Sequence, residues 1–139
     1  VGTGRGRGAT VNIPVPPATT GDAYREAFRS LVIPVLRQFD PDWLLVSSGF
    51  DAHRADPLAH TGLTESDYGA MARDLSSFGP TIIFAEGGYD LDAVQGSMAA
   101  TLEGFDGRAG EFAGPASPDA AFRLISQATD AARESGALS

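Results

Sequence analysis

The chain alternates short apolar runs with longer segments in which apolar residues recur at helical spacing. Two short segments contain continuous apolar runs bounded by turn residues, as in strands that are buried on both faces. They are Trp43–Ser48 and Thr81–Ala85. Thr10–Val15 also has strand composition, although Pro14 limits its pairing. Helical spacing marks four segments, which are residues 22–39, 64–78, 91–105 and 119–134. This order predicts an α/β fold, in which helices flank a parallel sheet in three layers.

Local signals set the expected ends of the helices. Pro34 falls inside the first helical pattern and predicts a kink or a break there. Thr64 is an N-cap residue for the second helix, and Gly79-Pro80 ends it. The third helix is marked by five apolar residues, which are Leu91, Val94, Met98, Leu102 and Phe105. In the fourth helix, five side chains are expected to face the core, namely those of Phe122, Leu124, Ile125, Ala128 and Ala132.

Charge and composition exclude several classes of function. The 139 residues carry a net charge of −8, and all the basic residues are arginine, so neither a nucleic acid nor an anionic membrane is an expected partner. Cysteine is absent, so a transition metal would need histidine and carboxylate ligands. No apolar run reaches the length of a membrane span. A soluble cytoplasmic protein is therefore expected.

Polar residues are concentrated where two of the predicted strands end. Gly49-Phe50-Asp51-Ala52-His53 follows the first apolar run, with Asp56 close behind, and Glu86-Gly87-Gly88-Tyr89-Asp90 follows the second. Ligands of open parallel sheets bind beyond the carboxyl ends of the strands. The strand expected to end at Val15 would leave toward the same rim. We therefore expect both polar groups to lie at one edge of the sheet.

Each of these groups has a chemical and a structural interpretation. In an extended chain, Asp51 and His53 would point the same way and could share a divalent metal. Alternatively Asp51, His53 and Asp56 cap loops or the next helix, which is the commoner role of aspartate in loops. The Tyr89 phenol could stabilise an oxyanion or simply pack on the surface.

The glycine-rich segment at residues 1–8 could cradle a phosphate. No P-loop lysine follows it, and a flexible segment is the simpler interpretation. A nucleotide-binding function is therefore weakly supported, and calorimetric titration with nucleotide tests it.

Three stretches resemble one family in order and spacing. They are "GRGRGATVNIPVPPATTGDAYREAF", "PDWLLVSSGFDAHRADPLAHTGLTESDYGAMA" and "FAEGGYDLDAV". Together they are similar to the carboxyl-terminal half of the histone deacetylase and acetylpolyamine amidohydrolase family, most of all its bacterial and class II branch. The resemblance covers about residues 1–105, which we interpret as half of a deacetylase-like catalytic domain. Residues 106–139 are interpreted as a loop plus a helical extension.

The resemblance implies a zinc hydrolase that cleaves an acetyl-lysine or acetylpolyamine amide, on part of an arginase/deacetylase-like fold. By that resemblance Asp51 is a zinc ligand, and Tyr89 is the catalytic residue that hydrogen-bonds the substrate carbonyl and its developing oxyanion. The remaining matched positions line the substrate tunnel or support the site. They are Gly49, Phe50, His53, Asp56, Gly87 and Gly88.

The family pattern also requires residues that this chain does not contain. These are an aspartate and a histidine in a DxHHGxG-like segment that ligate zinc, and a catalytic histidine pair, whereas the chain has only His53 and His60. We therefore predict a carboxyl-terminal fragment that is inactive alone and binds zinc, or another divalent ion, weakly. It should self-associate as a homo-oligomer or dock a missing amino-terminal half. The alternative is a non-catalytic α/β binding or assembly module derived from the same family.

Overall fold

The computed structural model describes residues 2–108 and 110–139, so Val1 of the glycine-rich segment and Ala109 of the expected loop lie outside it. The helices are α1 (Gly21–Ala27), α2 (Ile33–Phe39), α3 (Glu65–Leu75), α4 (Leu91–Phe105) and α5 (Asp119–Ser135). The strands are β1 (Leu44–Ser48) and β2 (Thr81–Ala85). Short 3-10 turns occupy Gly4–Gly6 and Ser76–Phe78. Of the helices in the described residues, none has the length and apolar character that crossing a bilayer requires.

The two strands pair in parallel, with Leu44 opposite Thr81 and Ser48 opposite Ala85. Helix α3 connects them, and α4 follows β2, as the alternation of patterns predicted. The most extensive helix–helix contact in the described chain is between α3 and α4. The side of the sheet that carries Val46 and Ile83 faces these two helices across small cavities. The β1–α3–β2–α4 order therefore places the carboxyl ends of both strands at one edge.

One face of the sheet is exposed, so the expectation that both strands are buried on both faces is wrong for this chain. The exposed fractions are 65% for Leu45, 43% for Ile82 and 49% for Phe84. Register explains why they share a face, because Leu45 lies opposite Ile82 and Phe84 is two residues further along β2. No helix among residues 2–108 and 110–139 covers this side.

Thr10–Val15 is not a strand, contrary to the expectation from its composition. A strand needs a partner for its backbone groups, and Pro14 removes one donor. The segment instead packs Val11 and Ile13 on a cluster formed by Leu31 and residues of α5. Composition indicated an extended chain but not the element on which it would pack.

The interruption predicted near Pro34 is present. Between α1 and α2 the chain makes one π-helical turn, Phe28–Val32, and Pro34 follows within the first two residues of α2. Proline has no N–H to donate and its ring crowds the carbonyl of the preceding turn, and a widened turn accommodates both effects. The helix therefore continues to Phe39 with a local change in pitch.

Helix α4 turns a different face inward from the one that its large apolar residues suggest. Small residues, namely Ala93, Ser97, Thr101 and Gly104, are buried, whereas Leu91 is 83% exposed and Leu102 is 59% exposed. A Cβ on Gly104 would lie 2.3 Å from the carbonyl oxygen of Gly69 in α3. The two backbones thus approach too closely for larger side chains between them.

Helix α5 follows its prediction more closely. Ile125, Ala128 and Ala132 are buried as expected, while Phe122 is exposed and Leu124 is half-buried. The buried residues pack on Ala23, Ala27 and Leu31 of the amino-terminal helices. The final helix thus completes a second small core beside the sheet.

Asp22 joins the start of α1 to the segment that precedes α5. Its carboxylate accepts hydrogen bonds from the Ser117 N–H at 3.0 Å, from the Ser117 hydroxyl, and from the Ala23 N–H at 2.7 Å. Burial by itself raises the pKa of Asp22, but these hydrogen bonds, with one from Thr20, outweigh burial and hold the pKa below its usual value. The ionised form is therefore the one that stabilises the fold.

Asp22→Asn is expected to lower the free energy of unfolding at pH 7 by about 2 kcal/mol, because hydrogen bonds to a charged acceptor are lost. A lowered folded-state pKa gives stability that is complete above the unfolded-state pKa and is lost as the pH falls through the folded-state pKa. The difference in stability between the wild type and the variant should therefore begin to shrink as the pH falls below about 4, and should vanish only below the folded-state pKa. Urea unfolding from pH 7 to pH 3 measures this, with exposed Asp42→Asn as the control. A stability difference that is constant across this range contradicts the assignment.

Candidate functional site

The loops that leave the two strands meet at the carboxyl edge of the sheet, as predicted. The Phe50 N–H donates to the Gly87 carbonyl at 2.7 Å, and the Glu86 N–H donates to the Ser48 carbonyl at 3.0 Å. Although no strand ends at Val15, the chain beyond it reaches the first loop, where the Ala18 N–H donates to the carbonyl of residue 60 at 2.6 Å. Sheet pairing thus brings together residues far apart in sequence.

The Asp51 carboxylate packs directly on the glycine turn of the second loop. A Cβ on Gly87 would lie 2.6 Å from Asp51 Oδ2, and a Cβ on Gly49 would lie 3.3 Å from Oδ1. Gly88 has a φ of +136°, and a Cβ there would lie 2.6 Å from Val94 Cγ2. Glycine at 87 is therefore required for the turn to approach Asp51 so closely, and glycine at 88 for its positive φ and its contact with Val94.

Asp51 itself is half-buried and has a carboxylate that is free to bind a ligand. No hydrogen bond or ion pair within the described part of the chain engages its oxygens. A carboxylate that is packed in place yet unpaired is suited to hold a cation.

Two tyrosines that the sequence did not single out lie near Asp51. Burial first, and then the charge of Asp51, raises the pKa of Tyr24, and burial, Tyr24 and Asp51 likewise raise the pKa of Tyr68. Tyr68 is buried, makes an edge contact with Phe50 at 5.3 Å between ring centroids, and leaves its hydroxyl without a partner. Their helical spacing indicated core positions. The choice of tyrosine instead of phenylalanine at these positions is the one sequence signal of a polar role, because a buried tyrosine hydroxyl usually has a partner.

His53 does not point with Asp51, which corrects the shared-metal interpretation of this pair. The chain turns here instead of staying extended, because the His53 N–H donates to the Phe50 carbonyl at 3.2 Å. The imidazole is buried, and its Nδ1 accepts the Ala55 N–H at 3.1 Å. Its Nε2 lies 3.4 Å from Glu65 Oε2 without hydrogen-bond alignment. The buried imidazole thus lies between the first loop and the start of α3 and stabilises the loop through its bond from Ala55.

Asp56 connects the two loops with one carboxylate. Its Oδ1 accepts the N–H groups of Leu58 and Ala59, at 2.8 and 3.2 Å, and its Oδ2 accepts the Tyr89 N–H at 2.8 Å. Burial raises the pKa of Asp56, but the N–H donors of Leu58, Tyr89 and Ala59 outweigh it and lower the pKa overall. The turn role that the sequence suggested for Asp56 is present, together with a second contact to Tyr89.

Tyr89 lies between the glycine turn and α4. Its side chain is 62% exposed, and Asp90 caps α4 by accepting the Ala93 N–H at 2.8 Å. The phenol is thus presented at the rim of the sheet, on a backbone that is held on both sides.

Comparison with known proteins decides the family. The family model described as the histone deacetylase domain matches residues 1–105. The chain belongs to the histone deacetylase family. Histone deacetylase 14, chloroplastic, of Arabidopsis thaliana is 38% identical over 125 residues, which are 84% of this chain and 30% of that protein. Histone deacetylase 6 of Caenorhabditis elegans is 40% identical over 106 residues, which are 74% of this chain and 11% of that protein.

Solved structures of histone deacetylases share the fold of this chain. The structure of the histone deacetylase Clr3 matches with a TM-score of 0.90 at 33% identity, over 96% of this chain and 23% of that chain. The HDA15 HD domain matches with a TM-score of 0.86 at 28% identity, over 96% of this chain and 37% of that chain. These matches confirm the predicted deacetylase-like α/β fold, of which the chain holds a part.

The described residues of this deacetylase-family chain do not fit a catalytic zinc ion by themselves. Such a site normally has three protein ligands. No group of three histidine, cysteine, aspartate or glutamate side chains converges within residues 2–108 and 110–139. Asp51 is the unpaired carboxylate that packs against the glycine turn at this edge, so it is the ligand that this chain is placed to supply.

Proposed function

We propose that this chain supplies one metal ligand and one oxyanion donor to a zinc-dependent deacetylase that cleaves acetyl-lysine or acetylpolyamine amides. The supporting observation is the packing of the unpaired Asp51 carboxylate on the Gly87–Gly88 turn that immediately precedes Tyr89. The two joined loops carry a metal ligand and a phenolic hydrogen-bond donor. Together these groups can polarise the carbonyl of an amide substrate and stabilise the oxyanion that develops on it.

The residues of this chain have separate tasks in the proposed reaction. Asp51 would hold the zinc ion, which supplies Lewis-acid chemistry when bound. The Tyr89 hydroxyl donates a hydrogen bond to the substrate oxygen, most strongly when that oxygen becomes negative. Gly87 and Gly88 leave room for a narrow acyl channel. Gly49 and Phe50 shape the other wall, and His53 and Asp56 hold the first loop in place.

The remaining metal ligands and the histidine pair would come from an amino-terminal portion of a deacetylase domain. We propose that this portion covers the exposed sheet face of Leu45, Ile82 and Phe84, because parallel sheets in α/β proteins are covered on both faces. The matched Clr3 chain is large enough to supply it, since the present chain covers 23% of its length. The bacterial origin and cytoplasmic location inferred from the sequence stay predictions.

A non-catalytic binding or assembly module is the second candidate. The observation that favours it is that no three possible metal ligands converge within the described residues, where catalysis needs three. Such a module would keep the sheet and its exposed face and would have no use for Asp51.

Mixing this chain with an amino-terminal deacetylase portion tests the proposal. A part of the Arabidopsis relative outside its match to this chain, which covers 30% of that protein, is a suitable complement. The mixture is expected to hydrolyse an acetyl-lysine peptide, to lose activity with a chelator, and to regain it with zinc. The chain alone should show no turnover and should self-associate in light scattering.

Turnover by the purified chain alone would contradict the proposed division of the site. A stable mixed complex that binds zinc but hydrolyses neither acetyl-lysine nor acetylpolyamine substrates would favour the non-catalytic module.

A further inference from the structure

Asp56 makes a contact that a loop-forming aspartate does not need. Its Oδ1 alone satisfies the local turn, since it accepts the N–H groups of Leu58 and Ala59. Its Oδ2 is used for a residue 33 positions away, the Tyr89 N–H, at 2.8 Å. Asp56 as a residue is only 7% exposed, so solvent does not compete strongly for these bonds.

The position of the Tyr89 phenol depends on this backbone contact. The side chain is 62% exposed, and no hydrogen bond in the described part of the chain restrains its hydroxyl. The two preceding residues, Gly87 and Gly88, give the turn little stiffness of its own. The tie from the Phe50 N–H to the Gly87 carbonyl holds the far side of the glycine pair but does not reach Tyr89.

We propose that Asp56 is a positioning residue, which sets the Tyr89 phenol relative to Asp51 by accepting the Tyr89 backbone N–H. This inference rests on the proposed function for its catalytic consequence but not for the contact itself. One side chain thereby fixes the distance between the loop that carries the metal ligand and the loop that carries the oxyanion donor. A carboxylate suits this task because its two oxygens accept all three N–H groups, whereas an asparagine side chain has one acceptor oxygen.

Amide hydrogen exchange of the chain tests the contact without any activity. In Asp56→Asn the Tyr89 amide is expected to exchange about tenfold faster than in the wild type. The Ala93 amide, which Asp90 caps, should keep its rate. Asp56→Ser serves as a second variant, because its hydroxyl can still accept from the local turn but is too short to reach Tyr89. Unchanged exchange at Tyr89 in both folded variants overturns the proposal.

Kinetics of the complemented enzyme test the consequence. Asp56→Asn is expected to lower kcat by about 10- to 100-fold through misplacement of the phenol, with KM and zinc content nearly unchanged. In a Tyr89→Phe background Asp56→Asn should lower kcat little further, because the hydroxyl that Asp56 positions is already absent. Asp90→Asn is the matched control, since asparagine caps a helix as well as aspartate does.

Two outcomes overturn the positioning role. The first is an equal loss of kcat in the wild-type and Tyr89→Phe backgrounds, and the second is a loss of zinc together with kcat. A complemented wild type without activity refutes the proposed function instead, and the exchange rate of the Tyr89 amide then decides alone whether Asp56 anchors that residue.

Discussion

Asp51→Ala is expected to abolish zinc-dependent amide hydrolysis by the complemented protein while it leaves the fold of this chain intact. A bound metal contributes several kcal/mol of transition-state stabilisation, so activity should fall by about 1,000-fold or more. The fold should persist because no hydrogen bond or ion pair within residues 2–108 and 110–139 uses the Asp51 oxygens. Initial rates on an acetyl-lysine peptide, with zinc content measured in parallel, provide the test.

The control for Asp51→Ala is Asp42→Ala, which removes the same charge from an exposed position at the amino end of β1. It should leave both the rate and the zinc content unchanged. Retention of full activity by Asp51→Ala would contradict the assignment of Asp51 as a metal ligand. If in addition the mixed complex still assembles, that result favours the assembly module.

Tyr89→Phe is expected to lower kcat of the complemented protein by about 100- to 1,000-fold, the usual effect of removing one oxyanion donor. KM should change little, because the hydrogen bond strengthens mainly as the substrate oxygen becomes negative. Steady-state kinetics separate the two parameters. Stability and zinc content should match the wild type, since the side chain is 62% exposed and only the hydroxyl is removed.

An unchanged kcat in Tyr89→Phe would show that the phenol does not contact the reacting carbonyl. A rise in KM with constant kcat would instead make Tyr89 a substrate-binding residue. A loss of zinc would place it in the metal site, which its position beyond the glycine turn does not predict.

Features set within a few neighbouring residues could be predicted from the sequence. Both observed strands, the capped start of α3 and the interruption before Pro34 belong to this group. Thr64 and Asp67 form a capping box within one turn, with the Thr64 N–H 2.7 Å from Asp67 Oδ2. The placement of polar residues beyond the strand ends also followed from the alternation of strands and helices.

Other features depended on partners that local patterns do not reveal. Thr10–Val15 has strand composition but packs on α5, and α4 buries its small residues because α3 approaches closely. In an extended chain His53 would point the same way as Asp51, yet one turn at Phe50 directs it toward Glu65.

The sequence by itself determined the two strands of the sheet, the helices that follow them, and the candidate residues at the carboxyl edge. Periodicity, caps and glycine turns act over a few positions, so a local pattern is enough to reveal them. Only the tertiary structure decided what each candidate contacts. The Asp56–Tyr89 and Asp22–Ser117 hydrogen bonds join residues 33 and 95 positions apart. Such contacts depend on the packing of helices and strands, because the entropy cost of closing a loop of 33 or 95 residues has to be offset by the rest of the assembled fold.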